Sequence, residues 1–137
     1  MSAGYSGTPL AKKLGIKEGY LVATMGAPAH FNALLEPLPS GVRVGSGLRG
    51  NRLFDVLIVF ARTHGELADR FERASERMQP AAGLWVCWPK QTSALASDLR
   101  DSDVRAHGLS TGLVDNKVCA VDEDWSGLRF VIRLEDR

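Results

Sequence analysis

Gly83-Leu84-Trp85-Val86-Cys87-Trp88-Pro89-Lys90-Gln91-Thr92-Ser93 is an apolar, aromatic run that stops at a proline and then turns polar. A buried strand reads this way when it delivers a loop to the open end of a sheet. Upstream, Leu53-Phe54-Asp55-Val56-Leu57-Ile58-Val59-Phe60 is the strongest strand in the chain. Its apolar residues run on without alternation, so both its faces must be covered, as in a central parallel strand. Between these two runs, Thr63-His64-Gly65-Glu66 has the hydroxyl-to-carboxylate spacing of a capping box. The helix it opens is expected to carry Leu67, Phe71, Ala74 and Met78 on one stripe. Pro80 and Gly83 would then bracket the turn into the second strand.

Working outward, Thr8-Pro9 and Gly15 punctuate a short helix, with Thr8 as its cap. Tyr20 to Met25 is a first buried strand. Gly26-Ala27-Pro28 opens a helix with Phe31, Leu34 and Leu35 on one face, and Pro37 and Pro39 end it. Val42 to Val44 is a weak strand and 45–51 a glycine-rich loop. Asp98 to His107 reads as helical only towards its end, closed by Gly108. Lys117 to Val121 and Leu128 to Arg133 form an antiparallel hairpin about the turn-rich 122–127. This order predicts an α/β fold: a single Rossmann-like three-layer domain spanning 1–137, its mostly parallel sheet ending in a C-terminal antiparallel hairpin. Residues 1–7, small and polar, are expected to be flexible.

Charge excludes several functions. Lys and Arg number 17 against 16 for Asp and Glu, so no electrostatic footprint for nucleic acid or an anionic membrane is present. No apolar run approaches the ~20 residues that span a bilayer, and the N-terminus has no signal-peptide pattern, so the expectation is a cytoplasmic protein. Cys87 and Cys119 both sit in strand-like runs and read as buried small hydrophobes, with no metal site between them.

The candidate binding residues are Gly26, Pro28, His64, Lys90, Thr92 and Ser93, because open α/β sheets bind ligands at the carboxyl ends of their strands. His64 follows the central strand there, and it fits equally as a plain first-turn residue. Lys90 and Ser93 are three apart, a spacing that serine–lysine chemistry uses, but no oxyanion device accompanies them. A small-ligand or anion contact by Lys90, Thr92 and Ser93 is the better reading. No catalytic residue is assigned. A nucleotide or S-adenosylmethionine site needs a glycine-rich turn after the first strand and an acid after the second. Here the first turn holds one glycine and a proline, and residues 42–52 contain no acid, so no cofactor is expected.

Trp85 and Trp88, three apart in a strand, must face opposite sides of the sheet, and any buried indole needs a hydrogen-bond acceptor. Trp125 lies in the predicted hairpin turn. It either packs over a core edge, the favoured reading, or with the hairpin edge offers a surface to a protein partner or a second copy.

The pattern of strands with a closing hairpin resembles the end of the methyltransferase-type Rossmann fold. A closer resemblance runs through Ser6 to Ile16, Ala27-Pro28 with Phe31, Leu84-Trp85-Val86 with Trp88-Pro89-Lys90, and Gly112 to Asp115. It continues through Lys117 to Val121 and Trp125-Ser126-Gly127-Leu128-Arg129-Phe130-Val131. By these segments the chain resembles the bacterial domain-of-unknown-function family numbered 3052. The resemblance implies a bacterial cytoplasmic protein and carries over no catalytic residue. The leading expectation is a small non-enzymatic α/β binding or regulatory protein. The rival is a ligand-binding protein or enzyme with its cleft at the carboxyl edge.

Overall fold

A computed structural model describes residues 7–137; the segment expected to be flexible falls outside these except for Gly7. The elements are α1 (Leu10–Lys13), β1 (Leu21–Met25), α2 (Phe31–Leu34), β2 (Arg43–Ser46), β3 (Phe54–Phe60) and α3 (His64–Ser75). They continue with β4 (Met78–Pro89), α4 (Asp101–Ser110), β5 (Val114–Ala120), β6 (Trp125–Val131) and a final 3-10 turn at Leu134–Asp136. One six-stranded sheet has the order β2-β1-β3-β4-β6-β5. Its first four strands are parallel, and β6 and β5 add antiparallel. The α/β class, the parallel sheet and the closing hairpin are therefore as expected.

Helices cover both faces. On one, α3 and α4 send Leu67, Phe71, Ala74 and Val104 onto Leu57, Val59, Leu84, Val86, Trp88 and Phe130. On the other, α1 and α2, each four residues long, bring Leu10, Leu14, Phe31 and Leu35 onto Ile58, Phe60, Trp85 and Cys87. Trp85 and Trp88 thus take opposite faces, as their spacing requires. The buried Trp85 indole donates to the Leu14 carbonyl at 3.0 Å, which ties the N-terminal helix to the sheet. Gly15, at φ +77, closes α1 in a Schellman arrangement: Ile16 N donates to Ala11 O at 2.9 Å.

Several local expectations are corrected. Pro9, not Thr8, stands at the cap of α1, and no side chain caps it. Helix α2 starts only at Phe31, and Leu34 points to solvent while Phe31 and Leu35 are buried. Met78 belongs to β4, not to the stripe of α3, which ends at Ser75. Pro80 and Gly83 lie within β4 as well. Phe54 stands opposite Met78 but Val56 opposite Gly83, so residues 79–82 bulge from the ladder, where a proline forfeits no bond. The Arg129 guanidinium from β6 lies where a Cβ on Gly83 would stand. Gly108 does not end α4, which runs on to Ser110; it sits where the Phe130 ring presses directly on the helix backbone. Strand β6 begins at Trp125, so the hairpin turn is only Val121 to Asp124.

The link from β2 to β3 has no helix. Residues 47–53 cross the sheet as an irregular strap, and Arg77 holds it. The Arg77 guanidinium donates to the carbonyls of Arg52 (2.9 and 2.6 Å), Leu48 (2.9 Å) and Arg49 (3.4 Å), and lies over the Phe54 ring at 5.3 Å.

Cys87 and Cys119 flank Gly127 in register, one on each neighbouring strand. Burial pushes the Cys87 thiol well above its usual range, with Cys119 and Asp122 adding to the effect. Burial also pushes Cys119 up, opposed by Lys13, Lys117 and Lys90. Below about pH 8.5 both native and unfolded thiols keep their protons. Above it the unfolded chain loses its protons first, so stability falls as pH rises until the native thiols titrate. Denaturant midpoints are expected to fall from about pH 8.5 upward, and less steeply in Cys87→Ala; an unchanged slope in that variant rejects the assignment.

Two of the three buried tryptophans, Trp85 and Trp125, allow a paired test. Trp85 has its acceptor, whereas among the described residues the Trp125 Nε1 is buried without one. Trp85→Phe is therefore expected to cost about 1–3 kcal/mol more than Trp125→Phe in chemical denaturation, since it strands a buried carbonyl. Equal losses would show that the Leu14 bond contributes nothing.

Candidate functional site

The carboxyl ends of β1, β3 and β4 form one edge of the sheet, and the β5–β6 turn folds over it. After β1, Gly26 takes φ +68, a left-handed conformation that excludes ordinary side chains. The Arg70 guanidinium from α3 lies against Gly26 where a Cβ would stand, and its Nη1 donates to the Phe60 carbonyl at the end of β3. Glu66 holds Arg70 from the preceding turn of α3 at 3.6 Å. The same Glu66 accepts from Arg62 N at 2.8 Å, while Thr63 Oγ1 accepts from Glu66 N at 3.0 Å, so the predicted cap of α3 is made. His64 follows it as an exposed first-turn residue.

After β4 the polar loop is engaged with the hairpin turn. Lys90 Nζ donates to Asp122 O at 2.7 Å, and Lys90 N to Asp124 O at 2.8 Å. Ser93 Oγ donates to Asp124 Oδ1 at 2.7 Å and accepts from Leu95 N at 2.9 Å. Asp122 organises the turn, because its Oδ1 accepts from Asp124 N (2.8 Å) and Trp125 N (2.9 Å). Its Oδ2 lies 3.1 Å from His30 Nε2. His30, Asp122 and Asp124 were not among the sequence candidates. The Asp122-x-Asp124 turn pattern was the available signal, since Asp and Asn side chains commonly bond backbone two residues on.

The six candidate residues do not line one cleft. Lys90 and Thr92 border a cleft of about 460 Å³ with Trp88, Arg100, Arg105 and Leu128. Neither Gly26, Pro28, His64 nor Ser93 borders it. Arg105 is paired there with Asp115 at 3.1 Å. Pro28 serves locally, its carbonyl accepting from Phe31 N at 3.0 Å. Trp125 packs inward, 5% exposed, with its ring edge-on to Phe60 at 5.0 Å; Phe60 in turn meets Phe31 at 4.9 Å. The outer strand of the hairpin is β5, with a register shift between Asp115 and Lys117.

The two features that a nucleotide-type cofactor commonly uses in such a sheet take another form here. The turn after β1 is occupied by an arginine instead of open backbone amides, and β2 ends at Ser46, with no acid from residue 42 to 52. Among the described residues, no group of three or more His, Cys, Asp or Glu could hold a metal ion. No helix among them is long and apolar enough to cross a membrane.

Solved structures similar to this chain are methyltransferase-like. A S-adenosylmethionine-dependent methyltransferase from Aquifex aeolicus superposes with a TM-score of 0.62 at 15% identity, covering 88% of this chain and 86% of that one. The N-methyltransferase NodS from Bradyrhizobium japonicum gives 0.60 at 13% identity, with coverage of 88% and 90%. Aeropyrum pernix fibrillarin, solved with natively bound S-adenosylmethionine, gives 0.62 at 12%, with coverage of 93% and 70%. At such identities the likeness is one of fold, and it establishes the methyltransferase-type Rossmann architecture. No curated protein matches the sequence significantly. A family profile matches residues 11–134, and by it the chain belongs to the family described as "Protein of unknown function (DUF3052)".

Proposed function

We propose that this protein is a non-enzymatic α/β binding or regulatory domain: a methyltransferase-type frame that takes no S-adenosylmethionine. The observation that carries this reading is Arg70. Its guanidinium lies against Gly26 and bonds the Phe60 carbonyl, which puts a cation and its side-chain bulk where a cofactor would need open backbone. The second support is the spending of the polar groups at the carboxyl edge. Lys90, Ser93, Asp122 and Asp124 are bonded to one another and to backbone, an arrangement that stiffens the edge and leaves no nucleophile beside a free base. On this reading the chain acts as a single domain in the cytoplasm, and its partner is a protein or small ligand.

The rival reading, a ligand-binding protein or degenerate enzyme, rests on the cleft beside Lys90 and Thr92, with Arg100 on its rim. Calorimetry and thermal shift with S-adenosylmethionine and S-adenosylhomocysteine separate the two. Ligand at a hundred times its Kd would add ~2.7 kcal/mol of stability, an easily seen rise in midpoint. No shift is expected with either compound. A saturable rise, weakened when Lys90 is replaced by alanine, would transfer the assignment to the rival.

A further inference from the structure

The strap between β2 and β3 stands over a cleft of about 420 Å³ on the face of the sheet that α3 also covers. This volume lies in the usual range for small-molecule sites. Leu21 and Phe54 give the cleft an apolar side, and Gly45, Ser46, Arg49 and Arg52 are among its other lining residues. Gly45 opens it: nothing stands within 4 Å of where its Cβ would be. Gly45 pairs with Ala23, and so faces the same side of the sheet as the strap.

Two arginines, Arg49 and Arg52, border this apolar space, and their backbone is held in place. Arg77 bonds the carbonyls of both Arg49 and Arg52, so the backbone that carries them is pinned from below. Their own guanidinium groups meet no acceptor among the described residues, in contrast to Arg70, Arg73, Arg77 and Arg105. No acid occurs from residue 37 to 54, while Arg43, Arg49 and Arg52 all fall within that stretch. The next carboxylate, Asp55, is engaged with Leu21 N at 2.8 Å. In a chain of net charge +1 this is a local excess of positive charge beside an apolar cleft. Guanidinium forks match the oxygens of carboxylate, phosphate and sulfonate groups.

We propose that this cleft binds a small amphiphilic anion, with the acid group on Arg49 and Arg52 and the apolar body against Leu21 and beside Gly45. The cleft reaches from the starts of β1 and β3 to the carboxyl end of β2 and includes none of Gly26, Arg70, Lys90 or Asp122, so the proposal goes beyond the proposed function without depending on it.

The test uses the full chain and anilinonaphthalene sulfonate, an anion on an aromatic body, followed by fluorescence titration. One saturable site is expected, from which decanoate and decyl phosphate displace the probe. Decanol and inorganic phosphate, each lacking half of the recognised chemistry, should compete at least about tenfold less well. Gly45→Leu, whose backbone tolerates a side chain, should abolish binding with the circular dichroism spectrum unchanged. The double variant Arg49→Gln with Arg52→Gln should weaken it about tenfold, and it decides the matter if Gly45→Leu does not fold. Undiminished binding in either folded variant, or equal displacement by decanol and decanoate, overturns the proposal. Either result leaves the S-adenosylmethionine test unaffected.

Discussion

Strands β3 and β4 are buried on both faces, and the rest of the chain is arranged to meet that demand. Apolar surface on two sides of a strand has to be removed from water twice over, at roughly 25 cal/mol per Å². Helices α3 and α4 cover one side in the ordinary way. The other side is served by two single-turn helices, which could not stand alone. They hold because Leu10, Leu14, Phe31 and Leu35 are inserted into the sheet face and because Trp85 reaches up to bond the end of α1. A helix this short is a product of its packing.

The same economy shapes the carboxyl edge. Parallel strands leave their last carbonyls and following loops without sheet partners, and many α/β proteins fill that edge with ligand. Here the protein fills it with its own side chains: Arg70 on Phe60, Lys90 and Ser93 on the hairpin turn, Asp122 on the start of β6. The likeness to methyltransferases is one of fold, and this edge is described by the chain's own bonds. Fold alone does not carry function.

Much of the architecture was legible because it rests on short-range rules. The Thr63 cap needs three residues, the left-handed Gly15 one, and the opposite facing of Trp85 and Trp88 follows from a period of two. The errors share a different character. Whether Pro80 and Gly83 make a turn or a bulge depends on which residue of β3 faces them. Gly108 is set by the Phe130 ring from a strand distant in sequence. The Arg77 anchor joins carbonyls 25 to 29 residues away, and the Asp122–His30 contact spans 92. Such pairings have no local pattern, so 45–51 read only as a glycine-rich loop and Lys90 and Ser93 read as available. The strand-end positions of the candidate residues followed from the strand pattern, while their bonding was not foreseeable.

The glycine between the two cysteines has a chemical consequence. Cys87 and Cys119 lie on strands that are both neighbours of β6, on either side of Gly127. Two interstrand spacings put their Cα atoms about 9–10 Å apart, beyond the ~7 Å that a disulfide can bridge. Gly127 lets the thiols face one another, but β6 holds them out of bonding range. Oxidising surroundings therefore cannot lock this sheet without first pulling β6 away, and the folded chain is its own protection against internal cross-linking.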